Sequence, residues 1–345
     1  MSKNSVPAPI NRRAFLQGTL ACATVAATRL SSLTATEDRS TSDKTGDAAS
    51  KSVLERMKGP IASITMPYNK DYSIDYGSLR NWVEFMCVNK VPILMLTYGD
   101  SELYNLTTNE IAKVIRTVAD QARGRALVLG GTPKCWTGEL VNFINSLEDS
   151  GVDAMSVHHY SRNEEEIERA LSQVSEKTRL PLLAYESKWS VDLVKRVAKI
   201  PRFIGMKCHA ELYAYYDMIR ETKNDDFAVM SAGQMKHFLF GYLIGSTAYL
   251  CPLTPFAPKV GTAFYDALKK GDIPAARKFV YDYEEPLLKV TIPLGYPQAY
   301  KSELYLIGKY GTPLIRPPKK SNTVEELGPL REFIRSKPNM PAVKR

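Results

Sequence analysis

The chain lacks several features that would announce a function. It holds four histidines and five cysteines in 345 residues, and the cysteines stand singly with no C-x-x-C spacing, which argues against a metal centre built on paired ligands. No apolar run reaches the roughly 20 residues of a stable membrane span. A Gly-rich phosphate loop is missing after the first strand-like run, where Met66-Pro67-Tyr68-Asn69 stands instead, and this disfavours a doubly wound nucleotide-binding sheet. Basic charge is also missing where a nucleic-acid binder needs it. The net charge is +9, but residues 1–60 carry nine basic and five acidic side chains, residues 316–345 carry eight and three, and residues 61–315 carry 29 of each. A basic binding face belongs on the folded body with aromatics interleaved, so no nucleic-acid partner is expected. With 44% hydrophobic and 24% charged residues, the composition is that of an ordinary folded domain rather than a disordered or collagenous chain.

The N-terminus reads as a targeting segment. Asn11-Arg12-Arg13-Ala14-Phe15-Leu16 precedes an Ala-rich apolar stretch at 18–27 and a polar Ser/Thr/Asp stretch at 31–50. Paired arginines followed by Phe-Leu resemble a twin-arginine export signal, so residues 1–30 are expected to direct export across the membrane and 31–57 to form a polar linker. That route carries proteins already folded in the cytoplasm. The remaining Cys87, Cys135, Cys208 and Cys251 are therefore expected as thiols rather than disulfides.

From residue 58 onward, short apolar runs alternate with amphipathic segments. Strands are predicted at 61–66, 92–97, 126–130, 154–157, 181–185, 203–206, 227–230 and 247–250, with helical periodicity between them and after the last. Thr107 with Glu110 supplies a helix-start signal. Eight strands in strict alternation with helices imply parallel strands joined by crossovers, and the length fits a closed (β/α)₈ TIM barrel over 58–270. Residues 271–345 read as a C-terminal extension of three helices, at 274–290, 296–309 and 324–335.

Reacting groups in such a barrel sit at the C-terminal ends of the strands. This selects Asp100 and Glu102, His158, His159 and Tyr160, Tyr185, Lys207, and Ser231 with Gln234. Lys207 ends the β-rich run Phe203-Ile204-Gly205-Met206, which carries its amine into an apolar barrel mouth. Desolvation there disfavours the ammonium and favours the free amine, the form that attacks a carbonyl. The plainer alternative is a lysine with a buried stem and a solvated head. Adjacent histidines at 158 and 159 point to opposite faces of a strand, so no metal site is expected there.

The body as a whole resembles the dihydrodipicolinate synthase/N-acetylneuraminate lyase group of Schiff-base aldolases. The resemblance rests on Gly59-Pro60-Ile61 with Met66-Pro67-Tyr68, Glu102 with Leu106-Thr107 and Glu110, Tyr185, Ile204-Gly205-Met206-Lys207, Phe227 to Ser231, Gly245, Lys269-Lys270-Gly271-Asp272 with Ala275-Ala276-Arg277, and Arg316-Pro317-Pro318. It implies a TIM barrel with a three-helix extension, commonly a homo-oligomer (dimer or tetramer), and no cofactor beyond a covalent imine with a 2-keto acid. By the same resemblance Lys207 corresponds to the imine-forming lysine, Tyr185 to a proton-relaying tyrosine and Tyr160 to a tyrosine completing the relay with a neighbouring subunit. Gly99, Asp100, Ser101, Ser231 and Tyr249 are assigned to substrate binding.

The departures bear on the substrate. Tyr98-Gly99-Asp100-Ser101-Glu102 replaces the group's hydroxyl-rich carboxylate loop, and an acidic Asp100 is the wrong charge to face a carboxylate. Three readings follow: a lyase or aldolase acting on a pyruvate-type or sugar-derived 2-keto acid, a 2-keto-3-deoxy sugar acid dehydratase using the same imine, and a non-catalytic ligand-binding barrel with a degenerate carboxylate site.

Overall fold

Eight strands close on themselves in chain order: β1 Gly59–Ser63, β2 Ile93–Met95, β3 Leu127–Gly131, β4 Ala154–Val157, β5 Leu182–Tyr185, β6 Phe203–Cys208, β7 Ala228–Ser231 and β8 Ala248–Leu250. Every neighbouring pair is parallel, including β1 with β8. The computed structural model describes residues 48–185 and 188–344; the export signal proposed at 1–30 and Glu186-Ser187 lie outside them. The crossover helices are α2 Tyr76–Val88, α3 Thr108–Ala122, α4 Thr137–Asn145, α5 Glu164–Lys177, α6 Val191–Val197, α7 Leu212–Thr222, α8 Met235–Leu243 and α9 Pro258–Lys269. The predicted start of α3 holds: Thr107 and Glu110 cap each other's backbone, and Glu110 also takes a two-pronged bond from Arg316 at 2.6 and 3.0 Å. The capping carboxylate thereby ties the C-terminal tail to the barrel.

Two apolar layers result. Ile61, Ile93, Met95, Leu127, Leu129, Ala154, Leu183, Ile204, Met230, Ala248 and Leu250 fill the barrel interior, while the other strand face packs on the helices. The linker expected up to residue 57 is corrected here: residues 48–56 are helical (α1), and Val53 and Met57 join the interior cluster. Their apolar side chains, four positions apart, face one way on a helix and close the barrel's N-terminal end. Cys87, Cys208 and Cys251 are buried and Cys135 half-buried, all as free thiols.

The extension comprises α10 Ile273–Phe279, a π-helical turn at Val280–Glu284, α11 Glu285–Thr291, α12 Gln298–Leu306 and α13 Gly328–Ser336. The helix expected at 274–290 is thus one helical run interrupted by a π-turn, which aims Glu284 at the start of α8, where its carboxyl accepts from the amides of Met235 and Lys236. Those two donors favour the ionised carboxylate, but burial outweighs them and pushes Glu284 up to about 7. The folded state therefore holds a proton between about pH 4.5 and 7 that the unfolded state releases, so this group's contribution to stability falls as pH rises through that window. Urea unfolding of wild type and Glu284→Gln should show the wild type's relative advantage shrinking by about 2–3 kcal/mol from pH 5 to pH 8. An unchanged difference would mean that Glu284 is ionised throughout.

Candidate functional site

Strand β6 places the central residue. Its pairing with β5 slips between Leu182 and Leu183, so that Leu182 faces Phe203 while Leu183 faces Gly205. A bulge of this kind re-aims the side chains beyond it. Ile204 belongs to the interior cluster and Met206 to the outer layer, and Lys207 then turns inward to line the cavity at the barrel mouth. Gly205 is required at the slip, because a Cβ there would lie 2.5 Å from the Ala228 carbonyl oxygen.

Lys207 is 4% exposed. Its Nζ lies 2.9 Å from His209 Nε2 and 5.0 Å from the centre of the Tyr185 ring, and Tyr185 is its register partner on β5. An ammonium can only donate, so His209 Nε2 accepts when the lysine is charged. Burial first, then the charge of Lys207, press His209 down to about 3; the imidazole is therefore neutral and ready to take a hydrogen bond. His158 packs on Tyr185 with ring centres 4.6 Å apart. Its Nδ1 donates to the Thr132 carbonyl at 2.9 Å, which leaves Nε2 as a bare acceptor. Burial likewise lowers His158 to about 3. A buried primary amine beside a neutral imidazole and a phenol ring, with a second neutral imidazole behind that ring, is an arrangement suited to attack on a ketone carbonyl.

The cavity has a volume of about 420 Å³. Its walls are Lys207, His209 and Gln234 on the barrel side, Asp100 on the β2 loop, and Tyr296, Tyr300 and Glu303 from the C-terminal extension. Asp100 thus faces the cavity, and Gly99 sits against it, its Cβ position 3.5 Å from Tyr296. Ser101 does not line the cavity; its hydroxyl accepts from the Thr97 amide and its own amide donates to the Thr97 carbonyl. The amides of Asp100, Glu102 and Leu103 are likewise bound within the loop. These amides are therefore not open to a carboxylate.

Two assignments from the sequence are corrected. Ser231 lies on the outer face of β7, its hydroxyl 2.7 Å from His237 Nδ1. Tyr249 stacks on Phe238 with ring centres 4.3 Å apart and donates to the Gly261 carbonyl, again outside the barrel. Their inward neighbours are Met230 and Leu250. Tyr160, expected to complete a relay with a neighbouring subunit, is 63% exposed with Lys134 over its ring and does not line the cavity within one chain. His209 was missed although it is two residues beyond Lys207, just past the end of β6; the unforeseen tyrosines and Glu303 in the wall come from the extension. The described residues contain no group of three or more His, Cys, Asp or Glu placed to hold a metal ion.

Comparison with known proteins supports the fold and places the chain in a family. The sequence profile of the Dihydrodipicolinate synthetase family matches residues 56–337. Among curated relatives, a Streptomyces avermitilis protein named "Probable 5-dehydro-4-deoxyglucarate dehydratase 2" is 26% identical over 251 residues, 69% of this chain and 76% of its own. An uncharacterized DapA-like lyase of Pyrococcus abyssi is 24% identical over 295 residues, 82% of this chain and 99% of its own. In fold, the chain is similar to dihydrodipicolinate synthase from Aquifex aeolicus, with a TM-score of 0.76 at 23% identity, covering 84% of this chain and 100% of that one.

Proposed function

The chain belongs to the dihydrodipicolinate synthetase family of lyases, and on that premise we propose that it forms an imine between Lys207 and a 2-keto acid and uses it to cleave, join or dehydrate the substrate. The observation that carries this reading is the buried Lys207 amine, 2.9 Å from a neutral His209 and opening on a cavity. The amine adds to the keto carbon and water leaves, giving an iminium that acidifies the neighbouring carbon. Loss of a proton there gives an enamine. The enamine adds to an aldehyde, or expels a hydroxide from the next carbon along, which departs as water once protonated. His209, neutral and in the cavity wall, is placed to accept a proton, and Tyr185 packs against the reacting nitrogen. The donors lining the cavity for a substrate's oxygens are the Gln234 amide and the hydroxyls of Tyr296 and Tyr300.

The dehydratase variant draws support from the Streptomyces relative's name, and the cavity favours a substrate longer than pyruvate. Incubation with pyruvate in deuterated water tests the shared first steps. Deuterium should enter the pyruvate methyl group at a rate proportional to enzyme; exchange no faster than in buffer would leave the ligand-binding barrel as the better reading.

Assembly and location are proposed with it. Leu212, Tyr213, Tyr216, Phe240 and Leu243 are exposed on α7 and α8, an apolar surface that suits a homo-oligomer. A sedimentation mass equal to one chain would count against that. Export rests on Arg12-Arg13-Ala14-Phe15-Leu16, and a reporter fused to residues 1–47 that stays in the cytoplasm would contradict it.

A further inference from the structure

Helix α12 is unusual in being buried on nearly every side while carrying consecutive polar residues: Lys301 is 0%, Ser302 0% and Glu303 1% exposed. Two of the three are well partnered. Lys301 pairs with Glu102 and donates to the Met66 carbonyl, both at 2.5 Å. Ser302 donates to Gln298 and accepts from Asn322. Glu303 differs, since neither of its carboxyl oxygens has a hydrogen-bond partner among the described residues. A buried carboxyl without a partner costs stability, so its place there calls for a partner that arrives with the ligand.

The direction in which Glu303 faces identifies that partner. Ala299, Tyr300 and Glu303 form the face of α12 that lines the Lys207 cavity, together with Asp100 and Tyr296. Burial alone pushes the Glu303 carboxyl well above the usual range, which favours the protonated acid, a group that both donates and accepts. A cavity of about 420 Å³ lies within the roughly 300–1,000 Å³ typical of larger ligands, and a three-carbon keto acid fixed on Lys207 leaves most of it unfilled. The part of the wall built by the β2 loop and the extension is acidic and phenolic. That suits alcohol groups, which offer both a donor and an acceptor, and opposes a second carboxylate beside Asp100.

We propose that Glu303 is a specificity-determining residue that exchanges hydrogen bonds with a hydroxyl on the tail of a 2-keto acid held at Lys207, so that the site selects hydroxylated, sugar-derived acids over pyruvate. This rests on the imine reading above. A site built to hydrogen-bond a hydroxyl discriminates strongly against the analogue that lacks it, because the buried group is then left unpaired.

The test is the concentration at which borohydride trapping half-saturates, measured with pyruvate and with 2-keto-3-deoxygluconate on wild type and Glu303→Leu. Leucine keeps the volume and removes the polar atoms; Glu303→Met serves if the leucine variant does not fold. Wild type should half-saturate with the hydroxylated acid at a concentration about 100-fold lower than with pyruvate, and the ratio should fall below about 5-fold in the variant, through a rise in the value for the hydroxylated acid. An equal response of wild type to both acids, or a folded variant that keeps the wild-type ratio or loses both acids alike, overturns the role of Glu303 and leaves the imine intact. Folded wild type that traps neither acid overturns both.

Discussion

Replacing Lys207 with alanine is expected to abolish deuterium exchange into pyruvate, by on the order of 10⁴-fold or more, the scale of loss seen when a nucleophile is removed from an active site. The fold should survive. Lys207 is an inward residue at the mouth, and the interior packing beneath it, from Ile204, Met230 and Leu183, does not depend on its amine. His209→Gln keeps a hydrogen-bonding side chain beside the lysine but loses the ring nitrogen, and should cost far less, on the order of 10²-fold, as general acid–base contributions do. A Lys207→Ala protein that still exchanges at a rate close to wild type would remove the lysine from the chemistry, whatever the likeness of the fold.

Replacing Lys301 with methionine should destabilise the protein by about 3–5 kcal/mol, because it leaves the buried Glu102 carboxylate without its cation. Burial raises Glu102 and lowers Lys301 to about 8; at neutral pH the lysine still carries its charge, which the carboxylate and the face of Tyr68, 3.9 Å away, both accommodate. The pair joins the β2 loop to α12. Glu102 has a left-handed backbone, with φ of 53°, and ends the segment that presents Gly99 and Asp100, while α12 presents Tyr300 and Glu303. Loss of the pair should therefore loosen both cavity walls together. The double variant Glu102→Gln/Lys301→Met removes both charges and should recover at least half of the lost stability by urea unfolding, since removing a buried pair as a unit costs much less than orphaning one partner. Equal losses in the single and double variants would show that the pair contributes little and that packing alone matters.

The barrel was legible in the sequence because its signal is long. Eight apolar runs alternating with amphipathic helices constrain the topology even where each boundary is off by a few residues. The positions of Lys207 and Tyr185 were legible because Tyr185 closes its strand and Lys207 stands one residue from the end of its own, and the register slip that turns Lys207 inward is marked by Gly205. The facing of Ser231 and Tyr249 was not legible. β7 and β8 have four and three residues and are buried on both faces, so their sequences carry no in–out alternation to read. Nor was Glu303. It lies 96 positions after Lys207 on a helix outside the barrel, and nothing in Tyr300-Lys301-Ser302-Glu303 marks one residue as paired with a β2-loop glutamate and another as open to the cavity. Those facts exist only once α12 packs across the mouth.

The claim on which the rest depends is a covalent imine at Lys207, and intact mass after borohydride reduction in the presence of a 2-keto acid reads it directly. The account predicts a mass increase equal to the acid less one oxygen, located by peptide mapping to Lys207 and missing in Lys207→Ala. Folded protein whose mass is unchanged with every 2-keto acid tried, or an adduct mapped to another lysine, would contradict it.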